Sequence, residues 1–145
     1  MLSNTSRYAI RALVYLAINY KEKEKIGIKK IAKDLDIPSP FLGKILQTLA
    51  KKRILSSTKG PNGGFYASEE TIGTTLMDII KIIDGDDLFD KCLISNKACN
   101  NVKGNKCSLH DHYESIRKSL TNLFSEYTIG KLAQEYKNSN IGIDL

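Results

Sequence analysis

Nowhere in these 145 residues is there the run of roughly 18 apolar side chains that a membrane-crossing helix needs, so no membrane span is expected. The opening Met1-Leu2-Ser3-Asn4-Thr5-Ser6-Arg7 carries no apolar signal-peptide core and no cleavage site. A cytoplasmic location is therefore expected, where structural disulfides are rare. Cysteine is scarce and odd in number: with three in the chain, any disulfide scheme leaves one thiol over. Signatures of catalysis are missing too. There is no phosphate-cradling Gly-x4-Gly-Lys-Ser/Thr loop, no second cluster motif of the kind an electron carrier uses, and no Ser/His/Asp set on a suitable scaffold. The chain is not expected to be an enzyme.

What remains is an ordinary globular composition with an uneven charge. The net charge is +6, but residues 1–66 hold 13 Lys and Arg against 4 Asp and Glu, while residues 67–145 hold 9 against 12. A half this basic fits a polyanionic partner. A solvated lysine-rich surface would have the same count, so the motifs must decide.

The basic half reads as a winged helix-turn-helix. Ala9, Ala12, Leu13, Leu16, Ala17 and Tyr20 recur at helical spacing over residues 5–20, with Thr5 or Ser6 as the expected cap. A short helix is expected at Ile28–Leu35. Pro38 stops it, Ser39 suits the next N-cap, and Pro40 suits the first helical position. The helix from Pro40 to Lys52 would bury Leu42, Ile45, Leu46 and Leu49 and present a polar, basic face. Ser39, Phe41, Gly43, Lys44, Gln47, Thr48 and Lys51 are its candidates for bases or phosphates, with Arg7 and Lys29 on the preceding helices. Phe41 could equally be a staple onto the core, and Gly43 could permit a close approach to DNA. Ile54–Thr58 and Phe65–Ala67 are strand-like, and Lys59-Gly60-Pro61-Asn62-Gly63-Gly64 between them is a hairpin turn. A glycine-rich basic hairpin after the second helix is a wing, which adds Lys59, Gly60, Asn62 and Gly63 as DNA contacts.

The second half opens with a helix over Thr75–Ile83, apolar around most of its circumference and closed by Gly85. From Leu109, the residues Tyr113, Ile116, Leu120, Leu123 and Tyr127 follow at alternating spacings of four and three. This is a heptad seam, expected to pair two copies as a homodimer on a roughly palindromic double-stranded operator. Docking within one chain is the competing use of such a face. The expected organisation is a winged domain over 1–70, a connecting helix and cysteine-rich loop over 71–108, a long dimerisation helix over 109–137, and a tail over 138–145. The fold class is mainly α with a small β wing.

The loop Leu88–Ser108 contains Cys92, Cys99 and Cys107, with His110 just beyond. Six and seven residues separate the cysteines, wider than zinc knuckles or ferredoxin runs use. By spacing alone, an iron–sulfur cluster, a Cys3His zinc site and bare thiols, sensing by oxidation or without a role, all stay open. Lys91, Lys97, Lys103 and Lys106 would favour thiolate and an anionic cluster.

Taken together these segments resemble the Rrf2 family of bacterial winged-helix regulators. Ser6-Arg7-Tyr8-Ala9-Ile10-Arg11-Ala12-Leu13 resembles its opening helix, Lys59-Gly60-Pro61-Asn62-Gly63-Gly64-Phe65 its wing, and Asp78-Ile79-Ile80 through Asp84-Gly85 and three cysteines its sensor half. The resemblance spans nearly the whole chain. It implies a homodimer with crossed long helices. It also implies an iron–sulfur cluster, two-iron or four-iron, held by Cys92, Cys99 and Cys107. His110 matches the histidine ligand of the iron–sulfur-assembly type, with His112 the weaker alternative. Where some relatives take a ligand from the partner's first helix, this chain has Tyr8 and Ala12. The function implied is a repressor whose DNA affinity follows cluster supply, nitric oxide or redox state. The alternative is a winged-helix regulator without a cluster, controlled by thiol oxidation, zinc or a partner protein.

Overall fold

The computed structural model describes residues 2–20, 24–92, 94 and 107–139. Cys99, three of the four lysines flanking the thiols, and the tail beyond residue 139 lie outside the described residues.

Helix α1 (Asn4–Ile18) is the hub. Its cap is Ser3, not Thr5 or Ser6: the Ser3 hydroxyl accepts the Ser6 N–H at 3.0 Å, and Ser6 is buried one turn inside. Ala9, Ala12, Leu13, Leu16 and Ala17 form its buried stripe. Helix α2 (Ile28–Asp34) packs on helix α3 (Ser39–Lys51), and α3 packs on α1; the Tyr15 hydroxyl of α1 donates to Asp34 of α2 at 2.6 Å. Ser39 is the first residue of α3 rather than its cap. The Phe41 and Leu42 N–H groups, each 3.0 Å away, donate to the Pro38 carbonyl, and no side chain caps the end.

Both helices of the pair end the same way. After α2, the Ile37 N–H donates to the Ala32 carbonyl at 2.9 Å and the Asp36 N–H to the Lys33 carbonyl, with Asp36 at φ 51°. After α3, Ile54 reaches Leu49 at 3.1 Å and Arg53 reaches Ala50, with Arg53 at φ 61°. These are Schellman endings with Asp and Arg where glycine is usual.

Strands β1 (Ser56–Thr58) and β2 (Gly64–Tyr66) form an antiparallel hairpin with Ser57 opposite Phe65. Ile26 pairs on the other edge of β2, exchanging both backbone bonds with Phe65 at 2.9 Å. In the turn, the Gly63 N–H donates to the Gly60 carbonyl across Pro61 and Asn62. Pro61 thus sits where a type I turn favours it. Only Gly60, at φ 106°, takes a left-handed conformation here.

Helix α4 (Glu69–Gly73), unanticipated by the sequence reading, follows Ser68 and Thr71, which cap each other. The buried Thr71 hydroxyl also donates to the Ile54 carbonyl at 2.5 Å, pinning α4 beneath the wing. Helix α5 (Leu76–Asp84) ends at Gly85, φ 81°. The short α6 (Asp87–Asp90) forms at the start of the expected loop.

One helix was expected over residues 109–137, but there are two. Helix α7 (His110–Glu126) stops at Tyr127, and Thr128 caps a new helix, α8 (Ile129–Asn138). The break is stitched to the α4–α5 junction: Leu76 donates to the Tyr127 carbonyl and Ile129 to the Thr74 carbonyl, both at 2.9 Å. Beyond the break α8 packs on α1 and α4, burying Ile129 and Ala133. One hydrophobic core therefore includes residues from α1 to α3 together with Ala67, Ile79, Ile129 and Ala133, so packing does not divide near residue 70.

Candidate functional site

Helix α3 presents its sequence-expected face to solvent. Lys44, Gln47, Thr48 and Lys51 are exposed, opposite the buried Leu42, Ile45, Leu46 and Leu49. Arg7 and Lys29 are exposed on α1 and α2, Ser39 is half-buried at the start of α3, and Lys59, Gly60 and Asn62 are exposed on the wing. A cleft of about 540 Å³ runs between α3 and the wing, bringing Gln47 and Lys51 together with Lys59. Ser57 and Thr58 also line it. Nothing in their sequence context singled them out; the cleft exists only once the hairpin folds back along α3.

Three candidates have structural explanations of their own. A Cβ on Gly43 would stand 3.0 Å from the Ile28 side chain, so the glycine lets α2 and α3 pack closely. A Cβ on Gly63 would collide with the Thr58 carbonyl, so that glycine serves the hairpin itself. Phe41 is 42% exposed, and its ring stands edge-on to Tyr8 at 5.8 Å, close to the staple reading.

The second candidate site lies where α6 meets α7. The Phe89 and Phe124 rings meet edge to face at 6.0 Å and dock α6 on α7. Just past α6, Cys92 Sγ lies 3.8 Å from Cys107 Sγ, which precedes α7, and both thiols are half-buried. His110 begins α7; its N–H donates to the Cys107 carbonyl at 2.9 Å, and its side chain is half-buried. His112 is exposed. Among the described residues no group of three or more His, Cys, Asp or Glu gathers for a metal ion, and Cys99 is not among those residues. Two thiolates about 2.3 Å from one tetrahedral metal atom stand about 3.8 Å apart. The Cys92–Cys107 separation therefore suits a shared metal atom without rearrangement.

Helix α7 buries none of its residues within the chain. Along the expected seam Leu109 is 41% exposed, Ile116 56%, Leu120 37% and Leu123 46%, while Tyr113 and Tyr127 are half-buried. On another face Glu114 pairs with Arg117 and Lys118, and their charges hold its carboxyl below its usual range although burial opposes this. No helix among the described residues is long and apolar enough to cross a membrane.

A family model described as Rrf2, iron-dependent transcriptional regulator, matches residues 2–135. An HTH-type transcriptional regulator of Aquifex aeolicus (strain VF5) is 35% identical over 132 residues, covering 91% of this chain and 90% of the relative. The HTH-type transcriptional regulator IscR of Klebsiella pneumoniae (strain 342) is 24% identical over 131 residues, covering 90% and 78%. Among solved structures, CymR (YrzC), the global cysteine regulator of B. subtilis, superposes with a TM-score of 0.76 at 19% identity, covering 93% of this chain and 97% of its own. T. potens IscR superposes at 0.75 and 18% identity, covering 98% and 92%.

Proposed function

The chain belongs to the Rrf2 family of transcriptional regulators, and on that premise we propose that it is a dimeric DNA-binding repressor whose operator affinity is set by an iron–sulfur cluster at Cys92, Cys99, Cys107 and His110. The observation that carries the cluster is the 3.8 Å separation of two thiols otherwise fifteen positions apart. In a four-iron cluster each iron takes one protein thiolate, whereas a two-iron cluster places two on one iron. The Cys92–Cys107 spacing therefore favours the two-iron form. Cys99 and His110 are the remaining ligands in this reading.

DNA is held by two kinds of group. Arg7, Lys29, Lys44, Lys51 and Lys59 neutralise phosphates and position the protein. Gln47, Thr48 and Ser39 face the major groove when α3 enters it, and the tip of the wing, Gly60 to Gly63, follows the backbone alongside. Two copies joined through Leu109, Tyr113, Ile116, Leu120, Leu123 and Tyr127 would read two half-sites of a roughly palindromic operator.

Cys92, Cys99, Cys107 and His110 would hold the cluster, which would supply redox- and nitric-oxide-sensitive chemistry between the Cys92 and Cys107 sulfurs. The protein supplies the route from those sulfurs to DNA. Cys92 is fixed by α6 and Cys107 by the start of α7. Helix α7 packs on α5, α5 on α1, and α1 on α3. A shift at the thiols thus has a continuous packed path to the recognition helix. A change of about 1.4 kcal/mol in DNA affinity would be a tenfold switch.

Anaerobic purification with a visible spectrum, metal analysis and operator binding tests the proposal. A coloured, iron- and sulfide-containing dimer that changes DNA affinity when the cluster is removed is expected. A colourless protein with stoichiometric zinc, or one whose DNA affinity ignores iron, overturns cluster control. Regulation by bare thiols is the second reading, and the same close sulfur pair favours it over control by a partner protein.

A further inference from the structure

We infer that Cys92 and Cys107 form an oxidisable dithiol. In the iron-free protein a peroxide converts the pair to an intrachain disulfide that leaves Cys99 out and closes the site to iron. The sulfurs stand 3.8 Å apart, and a disulfide needs about 2.05 Å. Closing that gap is a side-chain movement. Both ends are already anchored: α6 by Phe89 on Phe124, and Cys107 by its carbonyl, which accepts the His110 N–H.

The chemistry balances. One thiolate attacks a peroxide oxygen; the O–O bond breaks, and water or an alcohol leaves. The sulfenic acid so formed is attacked by the second thiol, an S–S bond forms, and hydroxide departs with the thiol proton as water. The two thiols lose two electrons and two protons, and the peroxide is reduced. A metal ligand must be thiolate, so neither sulfur can serve iron while bonded to the other. Only this last step rests on the cluster reading; the dithiol itself rests on the sulfur geometry.

The test uses the full chain, reduced and stripped of iron by a chelator without oxygen, then titrated with hydrogen peroxide. Free thiols are trapped with a maleimide and the digest mapped by mass spectrometry. The expected result is one intrachain link between the Cys92 and Cys107 peptides, Cys99 fully labelled, and full reversal by dithiothreitol. Cys99→Ser should still form the link, and Cys92→Ser should lose it. A link through Cys99, links between chains only, or sulfinic acid without any disulfide overturns the dithiol. In a second arm the oxidised protein is offered ferrous iron and sulfide. Iron uptake only after dithiothreitol is expected, and uptake without reduction overturns the exclusion. A reduced protein that takes no iron overturns the cluster reading and the exclusion with it, while the peptide map still decides the dithiol.

Discussion

Helices α3 and α7 are both amphipathic, yet only α3 completes its packing inside one chain. On α3, Leu42, Leu46 and Leu49 are fully buried, and Lys44, Gln47, Thr48 and Lys51 are left exposed. On α7 no residue is buried, and Ile116, Leu120 and Leu123 stand exposed. The same contrast separates the winged block, which α8 rejoins through Ile129 and Ala133, from the arm made of α6 and α7. The block draws stability from its own core. Among the described residues no side chain of the arm is buried within the chain. The proposed thiol sensor falls in this arm, where elements with few buried contacts respond most to a small added free energy.

The largest blow to this contrast is a cavity in the block. Leu46→Ala removes a fully buried side chain and should cost about 2–5 kcal/mol, read by urea unfolding. A loss no larger than that of Leu120→Ala on the arm would erase the distinction. Next in size, a charge on the arm should separate copies without unfolding them. Ile116→Glu, at a position 56% exposed in the single chain, should weaken dimerisation by about 2–3 kcal/mol, or roughly 30- to 150-fold in Kd. Sedimentation should show monomers with unchanged helix content. A dimer as tight as the parent would move the interface off α7.

Much of the block was legible because its signals are local. Four apolar residues at helical spacing defined α3, and Pro61-Asn62-Gly63 marked the wing turn. What escaped was set by tertiary structure or hidden by unusual residues. Asp36 and Arg53 occupy left-handed helix ends where glycine would have been the cue. Helix α4 is five residues long and held by one buried threonine, too short for periodicity to show. The heptad spacing ran up to Tyr127 and hid the break, though Thr128 was a readable cap. Its hydroxyl accepts the Lys131 N–H at 3.2 Å. Gly43 and Gly63 were noticed for DNA, whereas their close neighbours are Ile28 and the wing backbone. The cysteine spacing marked only a candidate site and could not reveal that Cys92 and Cys107 touch, since that contact depends on how α6 docks on α7.

The smallest effect probes the seam between the two regions. The Ser3 hydroxyl caps α1 and also donates to Asp84 Oδ1 at 2.5 Å, while the Ser3 N–H reaches Oδ2 at 3.1 Å. Asp84 ends α5, where the chain leaves the block for the arm. Burial pushes its carboxyl up, but the bonds from Ser3 outweigh this and hold it below the usual carboxylate range. A carboxyl depressed in the fold stabilises above its unfolded pKa, and that contribution fades as pH falls through the folded value. Ser3→Ala should therefore cost about 1 kcal/mol near neutral pH, mostly as a lost cap. The cost should shrink in acid below about pH 4, where Asp84 is protonated in the unfolded chain. Unfolding at neutral and at acid pH measures both parts. A cost that stays constant across that range would show that Ser3 caps α1 without holding Asp84, and that block and arm meet there only through the apolar packing of α5.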